Sequence, residues 1–181
     1  GIPGSGKSTT GKWISERLSE WSIPNHFYHE LAENHPLRIY DRQFTSFAIT
    51  EEAEWFIAKV KQLFDDFVKE RIMNDEVVIM ESYVFQNTIG FAYNMQMNPE
   101  QILELFRTMQ NLLSPLKPVL IYYYQVNVEE HWRWICAIRG PHLHKIVAAC
   151  IRMKILWRQG SFGPGIKSLF SISCRTGRFP N

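Results

Sequence analysis

The first eight residues constrain this chain more than any other stretch. Gly1-Ile2-Pro3-Gly4-Ser5-Gly6-Lys7-Ser8 has the form G-x-x-x-x-G-K-[ST], and each fixed position has a physical task. Gly1, Gly4 and Gly6 permit backbone conformations and close approach that a Cβ would forbid. The loop curls so that successive N–H groups point inward as an anion nest, at the positive end of a helix beginning near Lys7. The Lys7 ammonium can then reach β- and γ-phosphates, and the Ser8 hydroxyl can ligate Mg²⁺. Gly1, Gly4, Ser5, Gly6, Lys7, Ser8 and Thr9 are the expected nucleotide-binding set, with ATP and Mg²⁺ as the expected cofactors. Such a loop should follow a buried strand, whereas this sequence starts at its first glycine. The expectation is a fragment whose first, central strand is missing and which folds poorly alone.

At 181 residues, with 45% hydrophobic and 21% charged side chains, the sequence suits one globular domain. It has no apolar run of the roughly 18–20 residues a membrane span needs, and no signal-peptide pattern. Cys136, Cys150 and Cys174 form no C-x-x-C pair and cannot all pair with one another. They read as free thiols in a reducing cytoplasm. The net charge of +2 conceals an asymmetry: residues 131–181 carry nine Lys or Arg and no Asp or Glu. That leaves 11 basic and 18 acidic residues in the first 130. The basic third either gathers around a polyanion such as triphosphate or is an atypical, divergent end.

Apolar spacing predicts a helix over residues 9–21, a short strand over 26–29, and an irregular stretch from 35 to 50. A long amphipathic helix is expected over 51–73 and a fully apolar strand at Val77-Val78-Ile79-Met80. A short helix near 83–95 and another over 99–113 follow. Val119-Leu120-Ile121-Tyr122-Tyr123-Tyr124 reads as a second buried strand, and residues 128–137 as a helix broken by Gly140-Pro141. Residues 143–157 are a further candidate helix and 166–172 a last strand. Apolar strands alternating with helices specify an α/β fold with a parallel sheet covered on both faces. The expected division is a domain over 1–159 and an atypical basic segment over 160–181.

Glu81 ends the most apolar strand. Beside a phosphate loop, such a carboxylate can bind Mg²⁺ through water or take a proton from an attacking hydroxyl. Glu30 ends the earlier strand at the same carboxyl edge, where ligands bind in open α/β sheets. Tyr83, Gln86 and Asn87 follow Glu81 and are candidates to line an acceptor cleft with Glu30. Trp55, Phe56, Phe64 and Phe67 keep helical spacing and read as core. His142, His144 and Cys150 fit no zinc pattern.

Three segments together resemble the P-loop nucleoside and nucleotide kinases, which include thymidylate and deoxynucleoside kinases. They are the glycine loop, Glu81-Ser82-Tyr83-Val84-Phe85-Gln86-Asn87, and the stretch from Pro118 through Val128-Glu129-Glu130-His131-Trp132-Arg133 to Arg139-Gly140. The resemblance covers residues 1–140. It implies a three-layer P-loop NTPase fold and makes Arg139, with Arg133 six residues earlier, the arginines that contact ATP phosphates. The family has an arginine where this chain has Ser82, which puts thymidylate as acceptor in doubt. The implied activity is transfer of the γ-phosphoryl group of ATP to a small-molecule acceptor. Lys7, Glu81, Arg139 and Arg133 would be catalytic, and Ser8 and Glu81 would hold the metal. Two other readings are a P-loop NTPase switch, with Gln125 a candidate to orient water, and a nucleic-acid-binding module built on Lys145, Arg152, Lys154 and Arg158.

Overall fold

A computed structural model describes residues 4–124 and 126–139, with the backbone alone at Arg139. The chain divides into two compact units, residues 1–128 and 129–181. The expected boundary between residues 159 and 160, the helix over 143–157 and the strand over 166–172 lie outside the described residues.

In the first unit, helix α1 (Lys7–Glu20) leads to strand β1 (Asn25–Tyr28), and helix α2 (Thr50–Ile72) leads to strand β2 (Val77–Met80). A π-helical segment over Tyr83–Ile89 runs into a short α3 (Gly90–Asn94), followed by α4 (Pro99–Leu113) and a 3₁₀ turn over Ser114–Leu116. The strands pair in parallel, Asn25 opposite Val77 and Tyr28 opposite Met80. The Glu81 N–H donates to the Tyr28 carbonyl at 3.1 Å, carrying the ladder one step past β2. The architecture is therefore mixed, helices with a small parallel sheet, as the alternation of strands and helices requires.

The core lies under α2 and α4. Along α2 the buried positions are Ala53, Phe56, Val60, Phe64, Phe67 and Val68, the stripe of a helix with one inward face. Phe56, Phe64 and Phe67 are core, as their spacing predicts. Helix α4 answers with Ile102, Leu105 and Met109. Its start is set by Asn98, whose side chain accepts the Glu100 N–H at 2.8 Å, with Pro99 at the first helical position. The irregular residues before α2 contribute Leu37 and Phe47 to the same core. Phe47 packs on Phe56 and Phe91 at ring distances of 4.7 and 5.6 Å.

Arg71 fastens the end of α2 to the strands. Its guanidinium donates to Glu76 at 2.7 Å and to the Tyr28 hydroxyl at 3.0 Å, and it lies over the Phe67 ring. Only 13% of its side chain is exposed, so these bonds work in a weakly screened setting.

Two expectations need correction. The apolar residues of the expected helix over 9–21 do not all face inward: Trp13 of α1 and Trp21 just after it are exposed. The inward face is Gly11, which is buried, with half-buried Ile14, Ser15 and Leu18. Those positions share one side of a helix, and Trp13 lies off it. Residues 119–124 are not a buried strand. They carry no regular secondary structure, and Val119, Leu120, Ile121, Tyr122 and Tyr124 are exposed, Val119 by 87%. Among the described residues the sheet has two strands, β1 and β2, and this apolar segment pairs with neither.

In the second unit, helix α5 (Val128–Arg139) buries Trp132 and Ile135. No helix among the described residues is long and apolar enough to cross a membrane.

Candidate active site

The parallel register brings the ends of β1 and β2 to one level, and α1 begins at the same edge. Gly4 and Gly6 take φ of 74° and 87°, which side chains with a Cβ resist. A Cβ at Gly6 would meet nothing within 4 Å. Its backbone angle is therefore what requires glycine there. Gly6 caps α1, and its carbonyl accepts the Thr10 N–H at 2.9 Å. No side-chain hydrogen bond caps the helix among the described residues, and its first turn holds no acidic residue, a chemistry compatible with an anion at that end.

Ser8 is half-buried, and its hydroxyl donates to Glu81 Oε1 at 2.7 Å. The bond joins residues 73 positions apart and sets the loop's hydroxyl against the strand-end carboxylate. Glu81 is a buried acidic residue, and its Oε2 makes no hydrogen bond among the described residues. The Oγ atoms of Ser5 and Ser82 are also buried without a hydrogen bond among the described residues. Buried polar atoms without partners are costly and rare in folded chains. Three such side-chain atoms lie here, on the glycine loop and just after β2, and two others lie on His35 and Arg71.

His29, the residue after β1, places its Nε2 3.5 Å from Glu81 Oε2. Its Nδ1 accepts the Leu31 N–H at 3.1 Å. Glu30 reaches the other wall, where Gln86 Nε2 donates to Glu30 Oε2 at 3.3 Å. The site therefore gathers Ser5, Gly6, Ser8, His29, Glu30, Glu81, Ser82 and Gln86 from α1, both strand ends and the π-helical segment.

That segment is built by an αL turn at Ser82, with φ 63°. The Ser82 carbonyl accepts both the Gln86 and Asn87 N–H groups, at 2.9 and 3.2 Å. Thr88 Oγ1 donates to the Tyr83 carbonyl at 2.8 Å, inside the structure. Backbone angles of this kind and π-helical turns both concentrate at functional sites.

Tyr83 does not line an open cleft. Its ring is buried and stacked on His35, centroids 3.6 Å apart and planes within 12°. Burial pushes its hydroxyl well above the ordinary tyrosine range. His35 is 1% exposed, its Nδ1 accepts the Leu37 N–H at 3.2 Å, and its Nε2 has no hydrogen bond among the described residues. Burial, assisted by the Arg38 charge, lowers its pKa from 6.5 to about 4. Asn87 is half-buried in the segment, and Thr9 is exposed in the first turn of α1.

The two expected arginines belong to α5. Arg133 belongs to the second unit, where its exposed side chain pairs with Glu129 at 2.6 Å, one helical turn away. Such exposed pairs contribute little. The side chain of Arg139 lies outside the described residues, as do Gly1, Gln125 and Lys145, Arg152, Lys154 and Arg158. No cluster of three or more His, Cys, Asp or Glu side chains among the described residues forms a metal cage.

His29 was not legible as a site residue because the strand ends one residue earlier than its sequence suggests. It ends at Tyr28, which puts His29, not Glu30, level with Glu81. The register of the two four-residue strands carries that signal. No protein-family model, curated protein or solved structure matches the chain.

Proposed function

We propose that the chain is a small kinase of the three-layer P-loop type, moving the γ-phosphoryl group of ATP to a small-molecule nucleoside, nucleotide or similar acceptor. The observation that supports it best is the 2.7 Å bond from Ser8 to Glu81, which sets the motif's hydroxyl against the acid that the resemblance makes functional.

In this reading the loop amides and Lys7 hold the phosphates. Ser8 and Glu81 suit Mg²⁺, which takes few protein oxygens and completes its shell with water and phosphate. The unsatisfied Glu81 Oε2 fits that donor set. Bound with the nucleotide, the ion would neutralise charge on the β- and γ-oxygens. Glu81 then orients the metal's water shell or accepts the acceptor's proton. Glu30 and Gln86 flank the acceptor position. The family resemblance gives Arg139, and after it Arg133, the task of stabilising charge on the transferring group. Phosphoryl transfer asks mainly for positioning and electrostatics, so this scattered set suffices.

The test is incubation with γ-labelled ATP, Mg²⁺ and a pool of nucleosides, nucleotides and sugars. A labelled acceptor is the expected product. Labelled phosphate alone would replace the kinase reading with that of a hydrolysing switch. Salt-sensitive nucleic-acid retention without ATP turnover would favour the basic binding module. Lys7→Ala should abolish either ATP-dependent activity; undiminished ATP affinity in that variant would remove the phosphate-site assignment itself.

A further inference from the structure

We propose that His29 is a positioning residue for Glu81, donating from Nε2 to the carboxylate oxygen that Ser8 leaves free; this rests on the reading of Glu81 as part of the phosphate site. The ring's hydrogen-bonding pattern supplies the first argument. Nδ1 accepts the Leu31 N–H at 3.1 Å, so it carries no proton. In a neutral imidazole the proton then belongs to Nε2. That atom faces Glu81 Oε2 at 3.5 Å.

The second argument comes from the carboxylate. Glu81 Oε1 is taken by Ser8 at 2.7 Å, while Oε2 is buried without a hydrogen bond among the described residues. The Glu81 side chain is 3% exposed, so bulk water is a poor substitute for a donor. A 3.5 Å separation is long for a hydrogen bond, but catalytic contacts commonly tighten when ligand binds.

The third argument is mechanical. His29 follows Tyr28 directly, and Tyr28 is held by the β1–β2 ladder and by the Arg71 bond at 3.0 Å. The Phe27 ring sets its edge against His29 at 6.3 Å and 87°. The imidazole is thus carried on a fixed strand end, with its other nitrogen tied to backbone. Ser8 and His29 would hold the two oxygens of one carboxylate from opposite sides. This is the arrangement by which outer partners orient a metal-facing ligand.

Three measurements decide it. His29→Ala should raise the Mg²⁺ concentration needed for half-maximal turnover by about 10-fold or more, leaving ATP affinity in EDTA unchanged. His29→Gln, which keeps a donor at the same reach, should restore most of that loss. In a Glu81→Gln background, His29→Ala should add little, because the partner it serves is already altered. An unchanged Mg²⁺ requirement in His29→Ala, or a full additive loss in the Glu81→Gln background, would overturn the proposal. Ring ¹⁵N shifts of the wild-type chain give a readout independent of turnover. A proton on Nε2 is expected, and one on Nδ1 overturns the assignment. If the wild-type chain neither binds nor turns over ATP, the kinase reading fails, and the ¹⁵N result alone then decides whether His29 serves Glu81.

Discussion

Gly11→Ala opposes two effects that are usually considered apart. Alanine is about 1 kcal/mol better than glycine inside a helix, so the substitution would ordinarily stabilise α1. At this position, however, an added Cβ would stand 2.5 and 2.8 Å from two ring carbons of Phe27. Carbon atoms rest comfortably at roughly 3.5–4.0 Å, so the ring or the helix must retreat by about 1 Å. Overpacking of that order costs about 1–3 kcal/mol, which makes the net change a loss of about 0–2 kcal/mol. Urea unfolding followed by far-ultraviolet circular dichroism measures it, with the slope checking that both chains unfold alike. The sign should reverse in a Phe27→Ala background, where the clash is gone and Gly11→Ala should stabilise by about 1 kcal/mol. The same gain in both backgrounds would refute the reasoning, since it would show that α1 and β1 do not meet at this point.

Two other outcomes follow from the geometry. His35 binds its proton at an ordinary pKa of 6.5 when unfolded but only near pH 4 when folded. The unfolded chain therefore holds more protons between those values, and the stability this residue contributes above pH 6.5 should be lost as pH falls toward 4; His35→Phe should flatten that part of the profile, and an unaltered slope would count against it. Ser82→Gly removes a side chain from a left-handed position and a buried hydroxyl that bonds nothing described. Denaturant unfolding should show a gain of about 1 kcal/mol, and a loss would mean that the hydroxyl has a partner.

Helices α2 and α4 were readable because their apolar residues recur with helical period and their ends carry signals, Asn98-Pro99 being the clearest. The strand Val77–Met80 was readable from four apolar residues ending in an acid. Residues 119–124 have the same local character, yet remain unpaired and exposed. Strand formation depends on a neighbour, which no local pattern supplies. Glu81 could be picked from the strand that ends at it. His29 could not, because its meaning depends on a residue far along the chain and on the backbone of Leu31. Tyr83 was misplaced for a related reason: its ring packs on His35, from the irregular stretch where sequence offers no periodicity.

The π-helical segment over Tyr83–Ile89 holds more residues per turn than an α-helix would. It therefore stores slack in chain length beside the candidate site. Removing one residue there would tighten the coil while its two ends, at Glu81 and at α3, stayed anchored. The side chains between would turn by about a quarter of a revolution, carrying Gln86 away from Glu30. A single-codon deletion, with no change of residue type, would thus redraw the wall of the candidate site that Gln86 forms and leave the glycine loop as it is.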